Sequence, residues 1–210
     1  MFRLSRTSVI ASTAVVTVIA ALSYALTGGA VPRAAAEDKA KAEDKAKAAP
    51  VEFTADGKLK RPVGYRKWVY VGEVVTPNDM NDGEASFPEF HSVYMDPESF
   101  AEYEKTGKFR DGTVLIKELS SVGSKKAPSG NGYFQGKFTG LEATIKDSKR
   151  FKDEPGNWAY FSFGHKYPLK EEAAKNAASA CNQCHQDNAK TDWVFSQYYP
   201  VLRAAAPHSN

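Results

Sequence analysis

The two cysteines of this chain lie close together and are followed at once by a histidine, in the sequence Cys181-Asn182-Gln183-Cys184-His185. Cys-x-x-Cys-His is typical of c-type haem attachment, in which both thiols add to the haem vinyl groups and the histidine binds the iron. A disulfide or a redox-active dithiol is the alternative in an exported protein. A zinc site normally needs four protein ligands, and the sequence has no second cysteine pair. The motif therefore predicts one haem c per chain, attached through Cys181 and Cys184 and ligated by His185.

The residues around the motif indicate that the sixth position of the iron is open. In small electron-transfer cytochromes a methionine downstream of the motif fills that position. Here Met1, Met80 and Met95 all precede the motif. We expect an open position, where the haem binds or transforms a small molecule, rather than a plain electron carrier. The residues that could still supply an axial ligand are Met80, Met95, His91, His165, a lysine or, near the terminus, His208.

Two ionisable residues stand among apolar neighbours on predicted strands. Residues two apart in a strand share a face, which groups Lys117 with Leu115 and Leu119. The lysine could extend its amine to solvent, and the glutamate Glu142 could lean into water at a strand end. The sharper interpretation is that both line the haem pocket, where the carboxylate accepts protons. In the strand beginning at Gly132, the same rule groups Glu142 with Phe134, Gly136, Phe138, Gly140 and Thr144.

The sequence around these residues predicts an antiparallel sheet. Segments rich in β-branched and aromatic residues are separated by turn residues, including Pro155-Gly156 before the last of them. Such composition is typical of strands and argues against a helical bundle. The predicted strands are Lys67 to Thr76, Thr113 to Ser121, Gly132 to Ile145 and Asn157 to His165.

Two helix signals complete the predicted elements. Asp96-Pro97-Glu98 is an N-cap followed by proline at the first helical position, and this helix is expected to end at Gly107. A second helix is expected from Pro168 towards the cysteines, so that the C-terminal helix carries or abuts the haem motif. The fold class is therefore α+β, an antiparallel sheet with packed helices.

The N-terminal region predicts export. Arg3 and Arg6 precede an uncharged apolar run, and Ala34-Ala35-Ala36 provides an A-x-A cleavage site, which is the layout of a signal peptide over residues 1–36. The apolar run is slightly long, so an uncleaved membrane anchor is the alternative. Two copies of Ala-Glu-Asp-Lys-Ala-Lys predict a charged tether over residues 37–50. The haem domain is expected over residues 51–210, in the periplasm.

Composition and charge narrow the possible partners. A chain of 210 residues with 42% apolar and 25% charged residues can bury a core, which excludes a disordered or multi-span membrane protein. The net charge of +3 comes from Arg3, Arg6 and Arg33, which are the only charges before Glu37. Without residues 1–36 the basic and acidic side chains balance, and we expect no nucleic-acid partner.

Several ordered blocks in the predicted domain carry a family resemblance. They run from Tyr65-Arg66-Lys67-Trp68-Val69 to Tyr199-Pro200-Val201-Leu202-Arg203, and include Ile116-Lys117-Glu118-Leu119, Gly140-Leu141-Glu142-Ala143 and Asn188-Ala189-Lys190-Thr191-Asp192. Together they resemble cytochrome P460, the hydroxylamine-oxidising monohaem cytochrome of ammonia- and methane-oxidising bacteria. The resemblance covers roughly residues 51–205 and leaves out the leader and the tether.

This resemblance implies a five-coordinate c-type haem on a mainly antiparallel sheet, in a homodimer. It also implies that Lys117 is joined covalently to a haem meso carbon and that Glu142 stands over the open side of the iron as a proton relay. His91 lies in a block where related sequences carry a basic residue, often arginine, so its role in the pocket stays open.

The function implied by the resemblance is oxidation of hydroxylamine to nitrous oxide, nitric oxide or nitrite, with electrons passing to an exported c-type cytochrome. The alternative is a sensor or scavenger that binds nitric oxide without turnover, as in the related cytochrome c′-beta, which shares the fold but has no lysine link. A plain electron carrier is the third reading. The state of Lys117 separates the first two.

Overall fold

The computed structural model describes residues 50–207, so the predicted signal peptide and almost all of the tether lie outside the described residues. The domain is built on a five-stranded antiparallel sheet. Its strands are β2 (Val69–Val75), β3 (Glu89–Met95), β4 (Val114–Val122), β7 (Gln135–Lys146) and β8 (Trp158–Ser162), and they lie in the order β2-β3-β4-β7-β8. Two small antiparallel pairs flank it: β1 (Leu59–Lys60) with β9 (Glu172–Ala173), and β5 (Lys126–Ala127) with β6 (Gly130–Asn131).

The predicted α+β class is confirmed. All four predicted strands are present with shifted ends, and the chain reverses between the last two through the short 3-10 turn Pro155–Asn157, where Gly156 has φ of +64°. Strand β3 was not predicted. It pairs on both edges, with β2 and with β4, so it lies inside the sheet.

The first helix, α1 (Pro97–Thr106), follows its sequence signals. The Asp96 carboxylate accepts a hydrogen bond from the Ser99 backbone N–H at 2.9 Å, and Gly107 ends the helix with φ of +66°. Asp96 also accepts from the Val114 backbone N–H at 2.9 Å, which ties the start of the helix to β4.

The second helix prediction was wrong in its start. The chain from Pro168 is extended and forms β9, and helix α2 (Ala178–Asn188) begins ten residues later. Leu169 and Ala173 are buried in the core, and Ala173 pairs with Leu59. This burial and pairing outweigh the helix propensity of the alanine-rich segment. Helix α2 carries the cysteine motif, and a further helix, α3 (Pro200–Ala205), follows it.

The two faces of the sheet carry different residues. Cross-strand pairs place Lys117 beside Glu142 and Val93 on one face, which we call the Lys117 face. The neighbouring residue Glu118 pairs with Leu141 on the other, the Glu118 face. Each face is covered by its own apolar cluster. The cluster on the Lys117 face includes Val93, Met95, Leu115, Trp158, Tyr160 and Leu202, whereas that on the Glu118 face includes Ile116, Leu141, Ala143, Ile145, Phe161 and Phe163.

A bulge in β7 corrects the predicted strand face. Leu119 pairs with Gly140, but Ser120 pairs with Phe138, so Thr139 is an extra residue. An extra residue breaks the alternation of side chains. Phe138 therefore lies on the Glu118 face, away from Glu142, so the predicted grouping of Glu142 with Phe138 was wrong.

Candidate haem-binding site

Helix α2 packs on the Lys117 face and presents the two cysteines. The side-chain amide of Asn182 donates to the Trp158 carbonyl of β8 at 2.8 Å, which anchors the helix to the sheet. Both cysteines are free thiols: Cys181 is half-buried against the apolar cluster and Cys184 is exposed. Residues three apart on a helix share one side. The two thiols are therefore available along one side of an anchored helix.

The imidazole of His185 is oriented by a backbone carbonyl. Its Nδ1 lies 2.8 Å from the Trp193 oxygen. A carbonyl oxygen only accepts hydrogen bonds, so Nδ1 carries the proton and Nε2 presents its lone pair. The ring lies between Tyr160 and Phe195, with centroids 4.5 and 4.6 Å away. Burial lowers the pKa of His185, which favours the neutral form that binds a metal ion.

A short chain of ionisable groups lies on the same face of the sheet. The Lys117 Nζ is 2.5 Å from Glu142 Oε2, and the His165 Nε2 is 3.3 Å from Glu142 Oε1. The side chains of Lys117 and Glu142 are 29% and 23% exposed, and that of His165 is 50% exposed. On its other side, the His165 Nδ1 lies 3.8 Å from Glu89. Glu142 thus lies between a half-buried amine and an imidazole that reaches solvent.

His91 stands beside this chain and is buried. Its position opposite Leu119 puts it on the Lys117 face. The ring is 6.0 Å from that of Phe87, which also lies 5.5 Å from the Lys117 Nζ. Among the described residues, no hydrogen-bond partner reaches the buried His91 Nε2. Burial, followed by the positive charge of Lys117, lowers the pKa of His91 to about 4.

The other residues considered as axial ligands fall into different places. Met80 is 71% exposed, whereas Met95 is fully buried in the apolar cluster of the Lys117 face. His165 faces Glu142, as described above, and His208 lies outside the described residues. Within residues 50–207, no group of three or more His, Cys, Asp or Glu side chains could hold a metal ion by itself.

The donor set fits a c-type haem. Two unmodified thiols lie on one helix, and an imidazole beside them is locked in the tautomer that leaves Nε2 for iron. The buried polar atoms without a partner in the described part of the chain include His91 Nε2 and Tyr160 Oη. Buried polar atoms normally have a hydrogen-bond partner in a folded protein. A polar group bound beside these two atoms would supply the missing partner.

Sequence reasoning missed some residues of this site. His165 was considered only as an iron ligand, and Glu89 and Trp193 were not singled out. Glu89 begins the unpredicted strand β3, and Trp193 acts through its backbone oxygen, which no side-chain pattern reports. For His165, the usable signal was its position directly after Gly164, where the chain leaves the last predicted strand of the sheet.

The fold and the donor set define a c-type haem protein built on an antiparallel sheet. Comparison with protein families agrees: the sequence model described as Cytochrome P460 matches residues 62–196. The chain belongs to the cytochrome P460 family, a family of haem c oxidoreductases. No curated protein matches the sequence. In residues 50–207, no helix has the length and apolar character needed to cross a membrane.

Proposed function

We propose that this protein oxidises hydroxylamine to nitrous oxide, nitric oxide or nitrite and passes the electrons to an exported c-type cytochrome. The observation that carries the proposal is the placement of Lys117 and Glu142. They are cross-strand neighbours 2.5 Å apart on the face where α2 packs with Cys181 and His185. We further propose that the protein works in the periplasm, as a homodimer.

Four residues would hold the haem. Cys181 and Cys184 would form its thioether bonds, His185 would ligate the iron through Nε2, and Lys117 would attach to the ring as the family resemblance implies. The chain has a single Cys-x-x-Cys-His motif, so we propose one haem per chain. When bound, the haem supplies an iron that can bind hydroxylamine and accept its electrons.

Glu142 and His165 would manage the protons of the reaction. Two hydroxylamine molecules give one nitrous oxide and one water, and release four protons for the four electrons that leave to the acceptor. Glu142 would accept these protons at its carboxylate. The His165 Nε2, 3.3 Å from the other carboxylate oxygen, can relay them because half of the His165 side chain is exposed to solvent. Without such a route, the protons would accumulate beside the substrate.

His91 would contribute an uncharged polar group. Its pKa of about 4 keeps the imidazole neutral in neutral solution, and its Nε2 is buried without a partner in the described residues. A neutral imidazole can donate or accept one hydrogen bond at this nitrogen, depending on its tautomer. We propose that it contacts hydroxylamine and helps to orient it.

Replacing Glu142 with glutamine tests the catalytic proposal. Glutamine keeps the shape of the side chain but cannot accept a proton, so turnover of hydroxylamine with an artificial electron acceptor should fall about 10²-fold. Haem content, measured by the pyridine haemochrome spectrum, should stay unchanged. Glu73 is a matched control, because its carboxylate accepts from the Ser92 hydroxyl and the Gln135 amide but sits at a register position of the Glu118 face. Equal turnover in wild type, Glu142→Gln and Glu73→Gln would contradict the role of Glu142.

One observation favours a second candidate, the binding of nitric oxide without turnover. The Lys117 amine forms an ion pair with Glu142, and a lysine retained in that pair would stay unlinked, as in cytochrome c′-beta. The two candidates therefore differ in whether Lys117 is bonded to the haem. Peptide mapping of the mature protein separates them.

A further inference from the structure

The turn that presents a carbonyl to His185 has an unusual backbone. Thr191 and Val194 pair across it, with the Val194 N–H donating to the Thr191 oxygen at 2.8 Å. The two residues between them, Asp192 and Trp193, have φ of +46° and +58°. Turns with two such residues normally use Asn-Gly or Asp-Gly, and a bulky residue there is an outlier. Backbone in this region persists only where the surroundings enforce it.

The hydrogen bonds of the Asp192 carboxylate help to hold this positive-φ backbone in place. It accepts from the Lys146 Nζ at 2.5 Å and from the Trp158 Nε1 at 3.2 Å. Lys146 and Trp158 are cross-strand partners in β7 and β8. The turn is therefore fastened to the sheet through one side chain.

The Trp193 indole supplies a second restraint on this backbone. It packs directly on Gly156, where an added Cβ would come within 2.5 Å of the indole Cε3. Only a residue without a side chain allows this approach. The indole is therefore held against the turn between β7 and β8, and this packing restrains the backbone of Trp193.

The same end of the sheet positions the iron-binding helix. The Trp158 carbonyl accepts from Asn182 of α2 at 2.8 Å, while the Trp158 indole donates to Asp192. The helix that carries His185 and the turn that carries the Trp193 carbonyl are thus both hydrogen-bonded to Trp158 of β8. This arrangement fixes the distance of 2.8 Å between His185 Nδ1 and the Trp193 oxygen.

We propose that Asp192 is a positioning residue for the proximal histidine: it keeps the Thr191–Val194 turn in its left-handed conformation, so that the Trp193 carbonyl orients His185 and raises its donor strength towards iron. The inference rests on the proposed role of His185 as iron ligand. A hydrogen bond to the outer nitrogen of a ligating imidazole fixes the ring and makes it more basic. A more basic ligand strengthens the iron–histidine bond and stabilises the ferric state.

The test uses the haem-loaded full chain with Asp192 replaced by alanine. The variant loses both hydrogen bonds and the tolerance of aspartate for positive φ. The iron–histidine stretching frequency of the ferrous protein, read by resonance Raman spectroscopy, should shift down. The ferric/ferrous midpoint potential should shift up. Lys146→Met, which removes one partner of the carboxylate, should shift both quantities in the same directions by less, and it serves as the second variant if Asp192→Ala loads too little haem.

Asp111→Ala is the matched control. The Asp111 carboxylate also accepts two hydrogen bonds, from the Ser148 backbone N–H and hydroxyl, both at 2.7 Å, and neither bond involves Asp192, Trp193 or His185. It should lower the melting temperature without moving the Raman band. A band at the wild-type frequency in both Asp192→Ala and Lys146→Met would overturn the positioning role while leaving the haem assignment intact. Wild-type protein without an iron–histidine band would overturn both.

Discussion

Each face of the central sheet carries a carboxylate of interest, Glu118 on one face and Glu142 on the other. The two differ in their burial and in their hydrogen-bond partners. Glu118 is 3% exposed and accepts from the Tyr65 hydroxyl at 2.6 Å and from the Arg66 Nε at 3.0 Å. Glu142, one strand away on the opposite face, is 23% exposed and lies between Lys117 and the half-exposed His165. Glu118 is enclosed by its hydrogen-bond partners, whereas Glu142 stays partly accessible to solvent.

This difference in exposure suits Glu118 to a structural role and Glu142 to proton transfer. A buried carboxylate with complete hydrogen bonding contributes to a unique packing. Burial and the bond to Glu118 raise the pKa of Tyr65, so this hydroxyl stays protonated as a donor. A partly exposed carboxylate that touches an imidazole can gain and lose protons. The comparison therefore predicts that damage to the Glu118 face lowers stability, whereas damage to the Lys117 face lowers turnover.

The largest expected effect on stability comes from Glu118→Ala. It leaves the buried Tyr65 hydroxyl without its acceptor and opens a cavity, so the free energy of unfolding should fall by on the order of 3 kcal/mol. Arg66 contributes little to this loss because its side chain is 54% exposed and water can replace the carboxylate. Urea denaturation of the haem-loaded protein measures the change. Glu142→Gln should lose less than about 1 kcal/mol in the same assay, and equal losses at the two sites would break the comparison.

A smaller effect is expected from the titration of His91. Its pKa of about 4 in the folded chain lies below the ordinary value of 6.5, so the unfolded chain binds more protons between these two values. The free energy of unfolding should therefore decrease as the pH falls from 6.5 to about 4, by up to about 3 kcal/mol from this group.

His91→Phe should flatten this pH dependence, because the variant has no group to titrate at that position. The difference in unfolding free energy between the two proteins, followed across this pH range, measures the contribution of His91 together with its charge interactions with Lys117, Glu142 and His165. A variant with the same slope as wild type across this pH window would show that His91 is not buried as described.

Local sequence signals predicted much of the fold. Helix α1 was predicted with both ends, since Asp96, Pro97 and Gly107 act through neighbouring backbone. The strands followed from their composition, and alternation correctly grouped Lys117 with Leu115 and Leu119, but it failed for Phe138 of β7. The extra residue Thr139 places Phe138 on the opposite face from Glu142, and no composition signal reports a bulge. The segment from Pro168 was assigned to a helix because its pairing with β1 depends on residues more than a hundred positions away.

In the candidate site too, residues that act through adjacent positions could be predicted, whereas contacts that depend on the tertiary structure could not. The motif residues Cys181, Cys184 and His185 could be predicted because their chemistry is encoded in adjacent positions. Lys117 and Glu142 were singled out from strand alternation and resemblance, but their contact depends on the register of β4 with β7. His165 could not be assigned to Glu142 from the sequence, because the contact forms only after the chain leaves β8.

The most direct test of the central claim is a tryptic peptide map of the mature wild-type protein. If Lys117 and the cysteines meet at one haem, cleavage after Lys117 is blocked, and residues 111–125 should be recovered joined through haem to residues 176–190. Complete cleavage after Lys125 and Lys146 controls for the digestion. Recovery of residues 111–117 as a free peptide in full yield, from protein that carries haem at Cys181 and Cys184, would contradict the linked haem and favour nitric oxide binding. Free thiols at both cysteines would contradict the haem site itself.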